Sequence, residues 1–258
     1  MTPPADGAFA GKVAVITGAS RGIGRALAVR LAAAGARIVV GYRRSAEAAA
    51  EVAAACGNGA FAAAVELEEP AAIDALFDRI AAECGRVDAF VANAAASAFK
   101  PVDELRAHHL DRSYAANVRA FVLCAQRAVA HQRGGGRIVA VTSYGSARVF
   151  PYYAALGSAK AAIESWVRYL AVAYAARRIT VNAVNGGIFE TDSSAYYYAL
   201  PGLPSLESVA AQIPARRVGT AGEIAATIAF LLGDDAAYIT GQTIVVDGGL
   251  SIVAPPLP

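Results

Sequence analysis

The chain of 258 residues is long enough for one large α/β domain and short for two ordinary domains joined by a linker. Its net charge of +2 comes from 23 basic and 21 acidic residues spread along the chain, without the basic stripe that nucleic-acid binding needs. Although 56% of the residues are hydrophobic, apolar runs such as residues 37–41 are far shorter than a membrane span of ~20 residues, so we predict a protein that does not cross a membrane.

Short β-branched runs alternate with longer amphipathic stretches along the chain. The predicted strands are residues 12–17, 37–42, 60–65, 87–93, 136–143, 179–184 and 243–246. The predicted helices lie near residues 22–34, 45–56, 70–84, 103–115, 117–132, 153–176 and 221–232. This alternation predicts a single-domain α/β fold over residues 1–258, Rossmann-type and doubly wound, with a mainly seven-stranded parallel sheet covered by helices on both faces.

One long connection, residues 191–217, interrupts this alternation. It contains Tyr196, Tyr197 and Tyr198 among several prolines. Long connections in compact domains are commonly binding lids, and three tyrosines could wall an apolar acyl pocket. A plain surface excursion or an oligomer contact is the alternative.

The cysteines and the N-terminus predict a cytoplasmic protein. Cys56, Cys84 and Cys124 are odd in number and widely spaced, which favours reduced core thiols over disulfides or metal ligands. The first residues lack the basic region and apolar run of a signal peptide. We interpret His108 and His109 as solvated helix residues and predict no metal site.

A glycine-rich turn follows the first predicted strand. Gly18, Gly22 and Gly24 lie between that strand and the helix that begins near residue 22. Such a turn lets backbone N–H groups approach a pyrophosphate at a positively polarised helix N-terminus. The setting predicts a dinucleotide site, with a purely structural turn as the weaker alternative.

Arginines at the end of the second predicted strand indicate which dinucleotide binds. Arg43 and Arg44 stand there, where an NAD enzyme usually places a carboxylate for the ribose hydroxyls. A guanidinium pairs with a 2′-phosphate, and Arg21 in the glycine turn could reach the same group. We therefore predict NADPH/NADP+ rather than NAD(H); solvated surface charges are the alternative.

Tyr153 and Lys160 form the predicted catalytic pair. Seven positions are two helical turns, so both side chains can project from one face of a helix. An ammonium near a phenol favours the ionised phenol and lowers its pKa, which makes it a better proton relay. Tyr144 and Tyr152 lie close by and stay open as alternative acids or as pocket and packing residues.

These motifs resemble the short-chain dehydrogenase/reductase family over residues 10–250. The match includes the glycine turn at residues 17–24, Asn93 after the fourth strand, Asn117 on a helix, Ser143 at the end of the fifth strand and the last strand at residues 241–249. The resemblance implies that Asn117, Ser143, Tyr153 and Lys160 are catalytic. It also implies a cofactor site formed by Gly18, Ser20, Arg21, Gly22, Ile23, Gly24, Tyr42, Arg43, Arg44, Glu66, Leu67, Asn93, Ala94, Ala95, Tyr153, Lys160, Gly186, Gly187, Ile188 and Thr191.

The tyrosine-to-lysine spacing is similar to that of one branch of this family. The common spacing would place a tyrosine at position 156, which is Leu156. The longer Tyr-x6-Lys spacing resembles the NADPH-type enoyl-acyl-carrier-protein reductases. The chain departs from the family at Ala95 (usually glycine), at Asn185 (often proline) and at Glu66 (usually Asp or Asn). It also has Ser143 where some enoyl reductases have a second tyrosine.

The resemblance implies an NADPH-dependent reductase that adds hydride to the C=C bond of an α,β-unsaturated thioester. Tyr153 would then donate to the developing oxyanion, as an oxyanion hole does, while Lys160 holds the nicotinamide ribose. Ser143 would contact the substrate carbonyl or a water, and Asn117 a water that relays protons.

The resemblance leaves other functions open. A ketoreductase of 3-oxoacyl or polyketide-type substrates is the main alternative, and a non-catalytic dinucleotide-binding scaffold is a remote one. The implied partners are an acyl thioester of fatty acid or polyketide biosynthesis, carried by CoA or an acyl carrier protein, and further copies of the chain in a homotetramer or homodimer.

Overall fold

A seven-stranded parallel sheet forms the centre of the computed structural model, which describes residues 7–253. The strands are β1 (Val13–Thr17), β2 (Arg37–Tyr42), β3 (Phe61–Ala64), β4 (Ala89–Ala92), β5 (Gly136–Ser143), β6 (Ile179–Gly186) and β9 (Thr243–Val246). Their order across the sheet is β3-β2-β1-β4-β5-β6-β9, and every neighbouring pair is parallel. A separate short pair joins β7 (Phe189–Glu190) to β8 (Gly219–Thr220).

Helices cover both faces of this sheet. They are α1 (Gly22–Ala33), α2 (Ala46–Cys56), α3 (Pro70–Cys84), α4 (Ala107–Tyr114), α5 (Ala120–His131), α6 (Ala154–Tyr174), α7 (Asp192–Tyr198), α8 (Leu206–Ala210) and α9 (Ala221–Leu232). One apolar layer packs α1, α2 and α9 against the sheet, and the other packs α3, α5 and α6. The predicted doubly wound fold is confirmed.

Strand residues alternate between the two layers, as the period of a β-strand requires. Ala14 and Ile16 of β1 belong to the layer with α1, whereas Val13 and Val15 belong to the layer with α3. Because both faces are buried, each strand is apolar at consecutive positions, which is why its sequence shows no alternation.

The sheet order reverses direction between β1 and β4. From β1 the chain proceeds outward through β2 and β3, and it then returns to place β4 on the other side of β1. In open α/β sheets, ligands bind in the crevice outside the carboxyl ends of the strands at such a reversal. The glycine turn at residues 18–24 lies at this point.

Most predicted element boundaries agree with the structure, and the differences lie near the site. The helix predicted from residue 103 begins at Ala107, after a short 3₁₀ turn at Val102–Glu104. The break predicted near residue 116 is absent, because the π-helix Ala115–Arg119 joins α4 to α5. Tyr153 is the N-cap of α6 rather than a residue inside the helix. The connection predicted at 191–217 contains the two short helices α7 and α8.

Within residues 7–253, the helices are too short or too polar to span a bilayer.

Candidate active site

A cavity of about 1020 Å³ opens at the carboxyl ends of the strands. It is lined by residues at these strand ends, such as Gly18 after β1, Glu66 after β3 and Ser143 at the end of β5. The predicted site residues that line it are Gly18, Ser20, Arg21, Gly22, Ile23, Tyr42, Arg43, Arg44, Glu66, Leu67, Asn93, Ala94, Ala95, Ser143, Tyr144, Tyr153, Lys160, Gly186, Gly187, Ile188, Thr191, Tyr196, Tyr197 and Tyr198. Gly24, Asn117 and Tyr152 are not among its lining residues.

The glycine turn forms a tight backbone cradle at one end of the cavity. Gly18 and Gly22 have φ of 66° and 55°, in the left-handed region that favours glycine. A Cβ on Gly18 would come 2.8 Å from Cα of Ala94, and one on Gly24 would come 2.5 Å from the carbonyl oxygen of Gly18. Gly24 therefore packs beneath the turn, which explains why it does not line the cavity.

Asn93 fixes this turn from the neighbouring strand. Its Nδ2 donates to the carbonyl oxygens of Thr17 at 3.0 Å and Gly18 at 2.9 Å. Thr17 Oγ1 in turn accepts from the backbone N–H of Asn93 at 3.1 Å. The turn thus presents a fixed concave surface of the kind that binds a pyrophosphate.

Charged residues surround the ends of β2 and β3. Nη1 of Arg43 lies 3.7 Å from Oε1 of Glu66 and 3.5 Å from Oε1 of Glu68. Arg112 of α4 donates to Glu68 at 3.0 Å, and this hydrogen bond holds the pKa of Glu68 below its usual range. Arg44 is exposed and forms no ion pair with the residues at 7–253. Where the 2′-phosphate of NADP was predicted to bind, the cavity therefore presents one arginine that is paired with carboxylates, Arg43, and one exposed arginine, Arg44.

Tyr153 and Lys160 lie at the opposite end of the cavity. The hydroxyl of Tyr153 donates to Oγ of Ser143 at 3.3 Å. Lys160 is 4% exposed, and its Nζ donates to the carbonyl oxygen of Val141 at 2.7 Å. Strand β5 thus supplies a partner to each of the two side chains.

Burial is the largest influence on the pKa of both groups. It lowers the pKa of Lys160 to about 8, and the nearby Glu164 carboxylate partly offsets this effect. It raises the pKa of Tyr153, while the hydrogen bond to Ser143 acts in the opposite direction. The predicted lowering of the phenol pKa by Lys160 is therefore wrong for this structure, because the loss of hydration outweighs the other influences on the phenol.

Asn117 lies in the π-helix, behind the cavity wall. Its Nδ2 donates to the carbonyl oxygens of Ser113 and Ala96, each at 2.7 Å. Its Oδ1 is buried and accepts no hydrogen bond from the part of the chain that the structure describes. The side chain therefore connects the helix to the loop after β4 and keeps one acceptor available.

An aromatic cluster forms the wall beside Tyr153. The ring of Phe99 stacks on that of Tyr153, with centroids 5.6 Å apart and planes at 27°. Tyr197 contacts both rings edge-on, at 5.3 Å from Phe99 and 5.5 Å from Tyr153. Phe99 and Phe150 line the cavity and were missed by the sequence analysis. Phe99 follows β4 and Phe150 lies just before Tyr153, and these positions could have identified both residues as part of the cavity wall.

Two hydrogen bonds join the segment before α6 to residues 191–217. The hydroxyl of Tyr197 donates to the carbonyl oxygen of Pro151 at 2.8 Å, and that of Tyr152 donates to Pro201 at 3.2 Å. Tyr152 has a left-handed φ of 61°, which turns its side chain out of the cavity while Tyr153 points into it. Tyr152 was predicted to line the pocket, and the structure places it on the outer side of this contact.

Known proteins are similar to this chain in sequence and in fold. The family model described as enoyl-(acyl carrier protein) reductase matches residues 18–251. A 1-cyclohexenylcarbonyl-CoA reductase of Streptomyces collinus is 59% identical over 95% of this chain and 89% of its own length. A short chain dehydrogenase from Burkholderia cenocepacia, solved in complex with NADP, superimposes with a TM-score of 0.88 at 34% identity, over 94% of this chain and 99% of its own.

A ketoreductase is among the similar structures as well. The angucycline C-6 ketoreductase LanV, solved with bound NADP, has a TM-score of 0.88 and 34% identity over 96% of this chain and 98% of its own. The likeness spans almost the whole of both chains in each case, and the matched family is the one that the sequence motifs predict. The chain therefore belongs to the enoyl-(acyl carrier protein) reductase group of the short-chain dehydrogenase/reductase family of oxidoreductases.

Proposed function

We propose that this protein is an NADPH-dependent reductase of the C=C bond in an α,β-unsaturated acyl thioester. The main support is Tyr153, whose hydroxyl faces Ser143 in the cavity, seven positions before the buried Lys160. The 59% identical relative is named as a reductase of an unsaturated acyl-CoA. That likeness favours an enoyl substrate over a ketone.

The residues of the cavity fit NADPH. The glycine cradle would hold the pyrophosphate, and Arg43 and Arg44 would face the 2′-phosphate. Arg21 lies 3.8 Å from Asp192 of α7 and would have to leave that carboxylate to reach the same phosphate. Lys160 would hold the nicotinamide ribose. When bound, NADPH supplies the hydride. Two similar structures contain NADP, which supports this choice of cofactor.

The side chains would stabilise the charge that develops on the thioester carbonyl oxygen. Tyr153 and Ser143 form a pair of hydroxyls 3.3 Å apart, and the raised pKa of Tyr153 keeps its proton available at neutral pH. A donor aimed at a developing oxyanion acts most strongly where water is excluded. Asn117, with its unpartnered Oδ1, would hold a water that returns protons to this pair.

The aromatic wall supports a compact or cyclic acyl group. Phe99, Tyr153 and Tyr197 enclose the space next to the proposed proton donor with flat apolar surfaces. We propose a CoA thioester, as in the relative named as a 1-cyclohexenylcarbonyl-CoA reductase. An acyl carrier protein is the second candidate carrier.

We also propose that residues 191–217 act as the substrate lid and that the protein forms a homotetramer or homodimer in the cytoplasm. The hydrogen bonds from Tyr197 and Tyr152 support the lid. Exposed apolar side chains along α6, such as Tyr169 and Val172, support assembly. Light scattering coupled to size exclusion measures the number of copies.

A comparison of substrates distinguishes the proposed enoyl reductase from the alternative, a ketoreductase. The similar structure of LanV is named as a ketoreductase. NADPH oxidation is followed with 1-cyclohexenylcarbonyl-CoA, crotonyl-CoA and acetoacetyl-CoA. We expect the highest kcat/KM for an enoyl thioester. A higher value for acetoacetyl-CoA would make the protein a ketoreductase, and no turnover of any thioester would contradict the proposed function.

Replacing Tyr153 by Phe tests the proton donor. We expect Y153F to lower kcat by roughly 10²- to 10⁴-fold, the usual contribution of a general acid. The affinity of Y153F for NADPH, measured from the change in fluorescence on binding, should stay unchanged. Y144F and Y152F are matched variants, since each removes one hydroxyl from a neighbouring ring. If Y153F stays active while either matched variant loses turnover, the donor is that other tyrosine.

A further inference from the structure

We propose that Glu164 is a positioning residue for this reaction, one that fixes the loop carrying Ser143 through hydrogen bonds to a single carboxylate oxygen. The proposal rests on the proposed function for its kinetic readout. Its structural readout, described below, is independent of turnover.

Three donors converge on Oε1 of Glu164. Thr142 Oγ1 and Ser146 Oγ donate to it at 2.8 Å each, and Asn185 Nδ2 donates at 2.9 Å. Nδ2 of Asn185 also lies 3.0 Å from Oγ of Ser146. The carboxylate therefore joins α6 to β5, to the turn after β5 and to β6. Hydrogen bonds to an ionised acceptor are stronger than neutral ones, and these bonds are partly buried.

The donors flank the proposed catalytic serine. Thr142 immediately precedes Ser143, and Ser146 follows it by three residues. Both ends of this short segment are thus tied to one carboxylate, and Oγ of Ser143 receives the hydrogen bond from Tyr153. A shift of the segment would displace the serine relative to the phenol.

Glu164 also lies one helical turn after Lys160. Residues four apart on a helix are neighbours, and the carboxylate is the charged group that counteracts the effect of burial on the lysine. Tyr153 is the other titratable side chain that α6 brings to this end of the cavity, and Tyr144 is the one in the turn after β5. The neighbouring strand residues Thr142, Ser143 and Asn185 are neutral.

Asn185 ties strand β6 to this network. Its side chain is 3% exposed and donates its Nδ2 to Glu164. A buried amide with this partner indicates that the carboxylate is a fixed part of the site.

Two substitutions of Glu164 test the proposal. E164A removes the acceptor, whereas E164Q keeps an oxygen that can accept the same hydrogen bonds. We expect E164A to lower kcat by roughly ten- to a hundredfold, the scale expected for a small misplacement of catalytic groups, with little change in NADPH affinity. We expect E164Q to recover most of the lost kcat. R168A, an exposed change one turn further along α6, is the matched control and should behave as wild type.

Amide hydrogen exchange of the segment 143–146 gives the second readout. It should be faster in E164A and close to wild type in E164Q. If E164A does not fold, T142V removes one donor without leaving the carboxylate unpaired, and the same two readouts apply to it. If E164A, or T142V in its place, leaves both kcat and the amide exchange of residues 143–146 unchanged, the proposal is overturned.

Two further results would also overturn it. One is that E164Q loses as much kcat as E164A, which would make the charge and not the hydrogen bonds responsible. The other is that kcat falls only in step with NADPH affinity. A wild type that reduces none of the thioesters would defeat the proposed function instead, and exchange in the segment 143–146 would still decide the role of Glu164.

Discussion

At the scale of single residues, Lys160 holds a charge in a position that water hardly reaches. Its ammonium has one backbone acceptor, the carbonyl oxygen of Val141, and one carboxylate nearby, that of Glu164. Burial lowers the pKa of Lys160 to about 8, so the ammonium loses its proton at a lower pH than an ordinary lysine does. The Tyr153 phenol is shifted in the opposite direction and ionises at higher pH.

We therefore expect kcat/KM for the thioester to fall as the pH rises through about 8, because the enzyme that has not yet bound thioester then loses the Lys160 ammonium. Initial rates at saturating NADPH and low thioester concentration, measured across this range, check the prediction. K160R is the control: a guanidinium keeps its proton, so its smaller activity should show no such fall. A flat wild-type profile through the same range would mean that this ammonium is not required.

The residue pattern predicted the glycine cradle and the Tyr153–Lys160 pair, because both depend on short spacings within one turn or helix. It could not predict the contact of Phe99 with Tyr153 or the convergence on Glu164. Those contacts join residues that are distant along the chain and meet only after the sheet has formed. The error on the phenol pKa has the same origin, since local spacing carries no information on how completely a ring is buried.

At the scale of elements, the N-terminus of α6 and helix α7 are joined by tyrosine hydroxyls. Tyr197 reaches the carbonyl oxygen of Pro151, and Tyr152 reaches that of Pro201. The left-handed backbone of Tyr152 costs on the order of 1 kcal/mol and directs adjacent side chains to different sides of the segment. The proposed lid and the proposed proton donor are therefore held by the same segment before α6.

We expect Y197F and Y152F each to raise the KM for the thioester, because each removes one hydrogen bond that holds the lid closed. A net value of about 1 kcal/mol per bond corresponds to roughly fivefold in KM. Steady-state kinetics measure it, with kcat changing less than KM. Y238F is the matched control, since this ring is fully exposed and does not line the cavity. An equal change in Y238F, or none in the other two, would contradict a closed lid.

Element positions were predicted well where a continuous apolar run was clear, as in β2 and β5. Helices α7 and α8 of the proposed lid were missed because they are short and begin at side-chain caps instead of an apolar stripe. Thr191 accepts from the backbone N–H of Ser194 at 3.2 Å, and Ser205 accepts from that of Ser208 at 3.1 Å. Such caps are visible in a sequence, although prolines and glycines surround them here.

At the scale of the whole molecule, two apolar layers on a central sheet hold the strand ends in register. Phe77 of α3 and Phe90 of β4 meet edge-on in one layer, with centroids 6.2 Å apart, and both are at most 1% exposed. Neither ring lines the cavity. Their contribution should therefore appear in stability and not in substrate choice.

We expect F77A to lower the free energy of unfolding by about 3–5 kcal/mol, the usual cost of truncating a buried phenylalanine. Urea unfolding followed by circular dichroism measures this change. Y238A truncates a fully exposed ring and should remain within about 0.5 kcal/mol of wild type. A loss of similar size in both variants would mean that the ring of Phe77 is not a core contact.

The π-helix between α4 and α5 has a consequence for how the chain tolerates shortening. A π turn holds one residue more than an α turn, so deleting one residue of Ala115–Arg119 would permit a regular helix with better backbone hydrogen bonds. The same deletion would rotate α4 by about 100° relative to α5 and carry the Asn117 amide away from Ala96. The shorter chain would gain regular backbone hydrogen bonds at Ala115–Arg119 and lose the contact that holds the Asn117 amide in place.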